Sequence, residues 1–236
     1  MRHFIYPVSA LILLSACGMA GGKTVQASGV NGDRNFALTG FDKVSLKGSD
    51  NVVVRVGGAE SVHAEGDTAV LDQLDIDVQD STLRIRRKQG FSINGGEATI
   101  TVTLPRLNGV SVAGSGDMTV DRAQSDNFSA GVAGSATLEI AALTAENATL
   151  EIAGSGEVTV AGTSRRTEIS IAGSGTVDAG ALKGEDARIS IAGSGDVKSG
   201  VDGTADISIK GSGDVDILGK ARCTVSKAGS GNVNCG

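Results

Sequence analysis

The chain has 236 residues, a formal net charge of −6, 35 glycines, only 2 prolines and no tryptophan. The acidic balance argues against a nucleic-acid partner, which calls for a basic patch, and glycine without a Gly-X-Y period excludes collagen. Hydrophobic residues make up 40% of the chain, and they are mainly Val, Ile, Leu and Ala, which suits a narrow core of closely stacked strands.

Residues 1–16 form a signal peptide by pattern: Met-Arg-His, an apolar run from Phe4 to Leu14, then Ser15-Ala16 before Cys17. An apolar core of about 11 residues is too short to span a bilayer. Leu14-Ser15-Ala16-Cys17 resembles the lipobox of bacterial lipoproteins, which implies cleavage before Cys17 and its lipidation. Each buried acyl methylene would add about 0.8 kcal/mol of membrane anchoring. Cleavage removes Arg2 and no acid, leaving a charge of −7. Gly18 in the second mature position resembles lipoproteins sorted to the outer membrane, so the expected location is the bacterial cell envelope, lipid-anchored, periplasmic or surface-exposed. Residues 17–40 are small and polar without apolar periodicity, and read as a flexible tether.

Residues 41–236 read as one β domain, irregular over 41–109 and regular over 110–236. In the first part Val44-Ser-Leu46 and Val52–Val56 flank Lys47-Gly48-Ser49-Asp50, a degenerate form of the later repeat. The run Asp67–Leu74 predicts one helical turn with Asp67 as N-cap. Leu74–Val78 and the run from Leu83 to Arg87 alternate as strands, with Arg84 and Arg86 placed to pair with Asp75 and Asp77. Ala98–Leu104 is a further strand, ended by Pro105.

From Ala113 onward, copies of Ala-Gly-Ser-Gly-Asp recur. Their first glycines are Gly114, Gly134, Gly154, Gly173, Gly193, Gly211 and Gly229, in steps of 20, 20, 19, 20, 18 and 18 residues. A fixed period in this range means stacked repeats. Four and two residues before each glycine, and four and six after it, stand near-continuous apolar columns such as Val110, Ala130, Leu150, Ile169, Ile189, Ile207 and Val225. Alternation within a repeat predicts strands, and constancy down a column predicts stacking in register. The expected fold is an all-β, single-stranded parallel β-helix of about seven coils, each advancing about 4.8 Å. The glycines turn the corners. Lys227 breaks its column in the last coil, a charge that discourages end-to-end pairing. Cys223 and Cys235 lie six residues either side of Gly229 and are a disulfide candidate in an oxidising compartment. Such a bond would staple the final coil by about 2–3 kcal/mol.

Phe41-Asp-Lys-Val-Ser-Leu, the entry run Leu104-Pro-Arg-Leu-Asn-Gly-Val-Ser-Val and the repeated Ala-Gly-Ser-Gly-Asp together resemble the bacterial auto-transporter adhesin head GIN domain, over roughly residues 40–233. The resemblance implies an exported right-handed β-helix, often on a lipoprotein, and brings no catalytic residue set with it.

No constellation in the sequence predicts catalysis, a cofactor or a metal. The mature chain has a single histidine, His63, in an alternating strand and no aromatic platform for sugar rings. The post-corner acids Asp117, Glu157, Asp196 and Asp214 are interrupted by Thr137, Thr176 and Asn232, so they suggest a polar binding face rather than acid–base pairs. Gly-Ser-Gly-Asp is similar to calcium-binding repeats, but those recur every nine residues and stack ligands densely. The Gly-x-Gly spacing lacks the context of a phosphate loop. Arg84, Arg86, Arg87 and Lys88 form a basic cluster that reads as a solvated face, with an acidic polysaccharide as the other reading. The expectation is therefore a non-enzymatic envelope lipoprotein with structural, adhesive or partner-binding roles. Its partners would be the membrane through Cys17 and a surface polysaccharide or envelope protein; self-association stays open. The alternatives are a carbohydrate-active β-helix and an envelope-signalling accessory protein.

Overall fold

A computed structural model describes residues 23–236. The signal peptide and the lipobox cysteine Cys17 lie outside the described residues. The N-terminal part runs β1 (Lys23–Gln26), β2 (Asn31–Phe36), β3 (Lys43–Gly48), β4 (Asn51–Val56), β5 (Ser61–Asp67), the one-turn helix α1 (Thr68–Leu71), β6 (Leu74–Gln79), β7 (Thr82–Arg87), β8 (Phe91–Asn94) and β9 (Ala98–Leu104). The repeat array follows as β10 (Gly109–Gly114), β11 (Met118–Val120), β12 (Ala123–Gly134), β13 (Thr137–Gly154), β14 (Glu157–Gly173), β15 (Thr176–Gly193), β16 (Asp196–Gly211), β17 (Val215–Leu218), β18 (Arg222–Gly229) and β19 (Val233–Cys235).

The array is a parallel β-solenoid of about six turns. Each turn has a first face before the corner glycine, a second face after it, and a third face leading to the next turn. Corner stacks on corner: Gly114 pairs with Gly134, Gly134 with Gly154 and Gly154 with Gly173. Gly173 explains why the column admits nothing larger. Its φ is +133°, a region costly for side chains, and a Cβ there would lie 2.2 Å from the Gly154 carbonyl oxygen.

The apolar columns point inward and merge into one core running from Phe41 to Ile217. Ser199 stands in one such column with 1% exposure, so a hydroxyl is part of the interior. The pattern fails only in the last coil, where Val225 is 45% exposed. There Cys223 and Cys235 form the expected disulfide, both half-buried, and the Lys227 ammonium donates to the Gly231 carbonyl at 2.6 Å.

The degenerate corner at Gly48 belongs to the same stack. Strand β3 pairs in register with β10, Gly48 opposite Gly114, and β4 pairs with β11. The 66-residue separation between Ser45 and Ser111, whose hydroxyls lie 2.8 Å apart, is bridged as if the intervening chain were absent. That intervening excursion folds onto the N-terminal side of the stack. Strand β7 lies parallel to β3, with β6 antiparallel beyond it. Strand β9 lies parallel to β4, with β5 and then β2 antiparallel beyond it. Helix α1 buries Val70 and Leu71 at this end, and its N-cap is Asp67, as the sequence predicts.

The stretch 17–40 is not wholly a tether. It holds β1 and β2, whose residues carry no apolar alternation and are ordered by their partners: β1 by β8, and β2 by β5. Asp67 adds an anchor, accepting from the backbone N–H groups of Ser28 at 3.0 Å and Gly29 at 2.7 Å.

Candidate functional site

The outward residues form columns that run along the solenoid. Asp117, Glu157, Asp196 and Asp214 all fall in the first outward column of the second face, and all are exposed. The threonines Thr137 and Thr176 separate Asp117, Glu157 and Asp196 from one another, whereas Asp196 and Asp214 are neighbours. Two of these carboxylates, Asp196 and Asp214, put hydrogen-bonding capacity into the fold. The Asp214 backbone N–H donates to Asp196 Oδ1 at 3.1 Å. Asn232 donates its backbone N–H (2.7 Å) and its side-chain amide (3.1 Å) to Asp214 Oδ1. Asp117 N–H is received by Asn51 Oδ1 at 3.3 Å.

The next outward column carries Asp178, Lys198, Asp216 and Asn234. The two columns together line a shallow depression of about 350 Å³ near the C-terminal end. It presents several carboxylates around Lys198 in a strand spacing of about 4.8 Å. Among the described residues no three acidic, histidine or cysteine side chains are placed to hold a metal ion.

The first face carries a run of small polar residues. Ser170, Ser190, Ser208 and Ser226 lie in register beside the column Ala153, Ala172, Ala192, Lys210 and Ala228. Nearer the vertex the charges alternate from coil to coil: Arg166 opposite Asp186, and Glu168 opposite Arg188, which faces Asp206. Opposite charges on neighbouring strands support pairing by about 0.2–1 kcal/mol each.

The basic cluster is committed to internal pairs. Arg84 reaches both carboxylate oxygens of Asp77, at 2.7 and 2.8 Å. Arg86 bridges Asp75 and Asp77 at 2.9 and 2.8 Å. Hydrogen bonds from Arg84 and then Arg86 hold the Asp77 carboxyl well below the usual carboxylate range. Arg87 turns inward to the fully buried Asp50, and Lys88 donates to the Asp72 carbonyl. His63 is a cross-strand anchor, 2.9 Å from Asn35 Oδ1 and 3.2 Å from Glu65 Oε1. Asp67 is lowered to about 2, chiefly by the Ser28 backbone N–H, then by the Ser28 hydroxyl and the Ala69 and Gly29 N–H groups. The carboxylates with displaced ionisation are thus the ones that hold the fold.

A groove of about 1110 Å³ opens on the third face, between the excursion and the first turn of the array.

The family model described as "Putative auto-transporter adhesin, head GIN domain" matches residues 40–221. The chain belongs to this family. Solved structures agree on the fold of this head GIN domain. An adhesin of Bacteroides fragilis NCTC 9343, titled putative, superposes with a TM-score of 0.85 at 24% identity, covering 89% of this chain and 99% of that one. A protein of Parabacteroides distasonis ATCC 8503, titled "Putative lipid binding protein", gives a TM-score of 0.72 at 22% identity over 90% and 99% of the two chains. A second protein of that organism, titled a putative adhesin, gives 0.74 at 17% identity over the same shares. No curated protein matches the head GIN domain of this chain.

Proposed function

We propose that this protein is a non-enzymatic, adhesin-like component of the bacterial cell envelope, anchored through a lipid on Cys17 and directed to the outer membrane. Its solenoid displays outward columns to a surface polysaccharide or an envelope protein. The observation that carries this reading is the in-register repetition of polar side chains along two faces, with Ser170, Ser190, Ser208 and Ser226 on one and Asp196 and Asp214 on the other. Equal spacing lets one polymer make the same weak contact many times, so that avidity replaces single-site affinity. The family and the similar adhesin structures support the same class of role.

The test joins address to binding. Fatty-acid labelling of cells producing the wild type and Cys17→Ser reports the anchor, and protease shaving of intact cells reports the side of the membrane. Binding of the chain to immobilised envelope polysaccharide, presented singly on beads and at high density, reports the contact. Density-dependent retention that is lost in Asp196→Asn/Asp214→Asn supports the reading. Cleavage of the polysaccharide, or retention independent of density, would replace it.

A further inference from the structure

Strand β1 starts at Lys23, so residues 18–22 alone separate it from Cys17. That span reaches at most about 20 Å even when fully extended. What lies within the reach is decided by where β1 is fastened. Its partner β8 stands between β7 and β9, the place in the chain that the Gly48 corner holds between β3 and β4. Strands β7 and β9 form the layer stacked on the N-terminal side of β3 and β4. From β1 the chain passes through Val30 into β2, the outermost strand beyond β9 and β5. The Val30 carbonyl accepts the Thr68 N–H of α1 at 2.8 Å. Strand β1, Val30 and α1 therefore share the N-terminal end. The other end is distant. From Gly48 to Gly229 the corners make seven in-register steps, or about 34 Å.

Exposure and charge also set this end apart. Val30 is 59% exposed, more than Val225 at 45% or Leu218 at 38% near the C-terminal end. Residues 23–107 carry 10 bases against 11 acids, whereas residues 108–236 carry 10 against 16. A surface of anionic headgroups thus repels the array and is nearly indifferent to the N-terminal part, within a Debye length of contact.

We propose that the N-terminal end of the solenoid, with the β1–β8 pair and the Val30 segment, rests on an anionic phospholipid bilayer, and that the array projects away from it. The inference rests on the reading that Cys17 carries the lipid. The short span to Cys17 holds this end at high effective concentration beside the bilayer, and Val30 gives it an apolar contact at the headgroup boundary. Inversion is excluded by length, because about 34 Å of stacked rungs exceeds the reach of about 20 Å. Lying flat is opposed by charge, because it presses the acid excess of residues 108–236 against the headgroups. Upright, the outward columns run along the membrane normal and the disulfide-closed coil stands farthest out.

The experiment uses the full lipidated chain, reconstituted in phosphatidylethanolamine/phosphatidylglycerol vesicles that carry a nitroxide quencher just below the headgroups. The chain has no tryptophan, so single substitutions report position without background. Val30→Trp marks the N-terminal end and Leu218→Trp the C-terminal end. Ser190→Trp, Thr176→Trp and Lys183→Trp mark the first, second and third faces, at exposed positions. Val30→Trp should lose at least half its emission, and the other four should keep theirs. Three results overturn the orientation while leaving the anchor standing. Val30→Trp is quenched no more than the face reporters; a face reporter is quenched as strongly as Val30→Trp, which means a rod lying flat; or Leu218→Trp is quenched and Val30→Trp is not. Mass analysis of the intact chain reads the anchor separately: an unmodified Cys17 removes the anchor reading, and the orientation falls with it.

Discussion

Arg87 grips Asp50 through both carboxylate oxygens, at 2.8 and 2.5 Å, and does so where the repeat array meets the excursion. Asp50 stands where later corners carry their second glycine, opposite Gly116, and it also receives the Ala98 backbone N–H at 2.9 Å. One buried carboxylate thus ties the first corner to the end of β7 and the start of β9. Arg87→Leu leaves that carboxylate unpaired and should cost about 3–5 kcal/mol. The double variant Arg87→Leu/Asp50→Ala should recover much of the loss, since it removes both charges. Urea unfolding of the four proteins of this cycle checks the order.

Corner glycines and face glycines should separate cleanly. Gly173→Ala places a methyl against the Gly154 carbonyl at a positive φ and should cost about 3 kcal/mol or more. Gly131, with nothing within 4 Å of its would-be Cβ, should accept alanine or serine with a change of no more than about 1 kcal/mol. Thermal unfolding of both variants is the measurement.

The disulfide acts locally. Cys223→Ala/Cys235→Ala should lower stability by about 3 kcal/mol, with amide protection lost first in β18 and β19 and kept in β13 to β15. Exchange mass spectrometry resolves this. Uniform loss of protection along the whole solenoid would contradict it.

Asp67 makes the N-terminal strands acid-sensitive. Its folded pKa of about 2 lies below the ordinary aspartate value of 3.8, so its stabilising contribution is complete above the unfolded pKa. That contribution falls away as pH drops from about 4 through 2. Limited proteolysis between residues 23 and 36 by an acid-active protease should therefore increase over that window. In Asp67→Asn the cleavage should already be raised at pH 5 and change less with pH.

The array was legible because each coil repeats the same physical demands. Inward columns need apolar side chains, corners need glycine, and a broken column such as that of Lys227 marks an end. The pairs of Arg84 and Arg86 with Asp75 and Asp77 were legible too, since adjacent antiparallel strands place them together. The role of Asp50 was not, and of Asp67 only the N-cap was, its hold on Ser28 and Gly29 being unforeseen. Their partners lie 37 to 48 residues away for Asp50 and 38 to 39 residues away for Asp67, in segments without periodicity. Strand β2, Asn-Gly-Asp-Arg-Asn-Phe, has no strand pattern of its own and becomes one by completing the edge of β5. The groove was hidden for a different reason. It arises where the returning chain forms no strand, and its walls come from five separated stretches of chain.

Gly48 stacking on Gly114 means that the corner column tolerates a long detour in the connecting chain, provided that register is restored on return. Reach then comes in quanta. Excising residues 154–172 would join Ala153 directly to Gly173, keep every inward and outward column in phase, and shorten the array by one rung of about 4.8 Å. Duplicating the same stretch would lengthen it by as much, so that the length of the solenoid can be changed without redesigning either end.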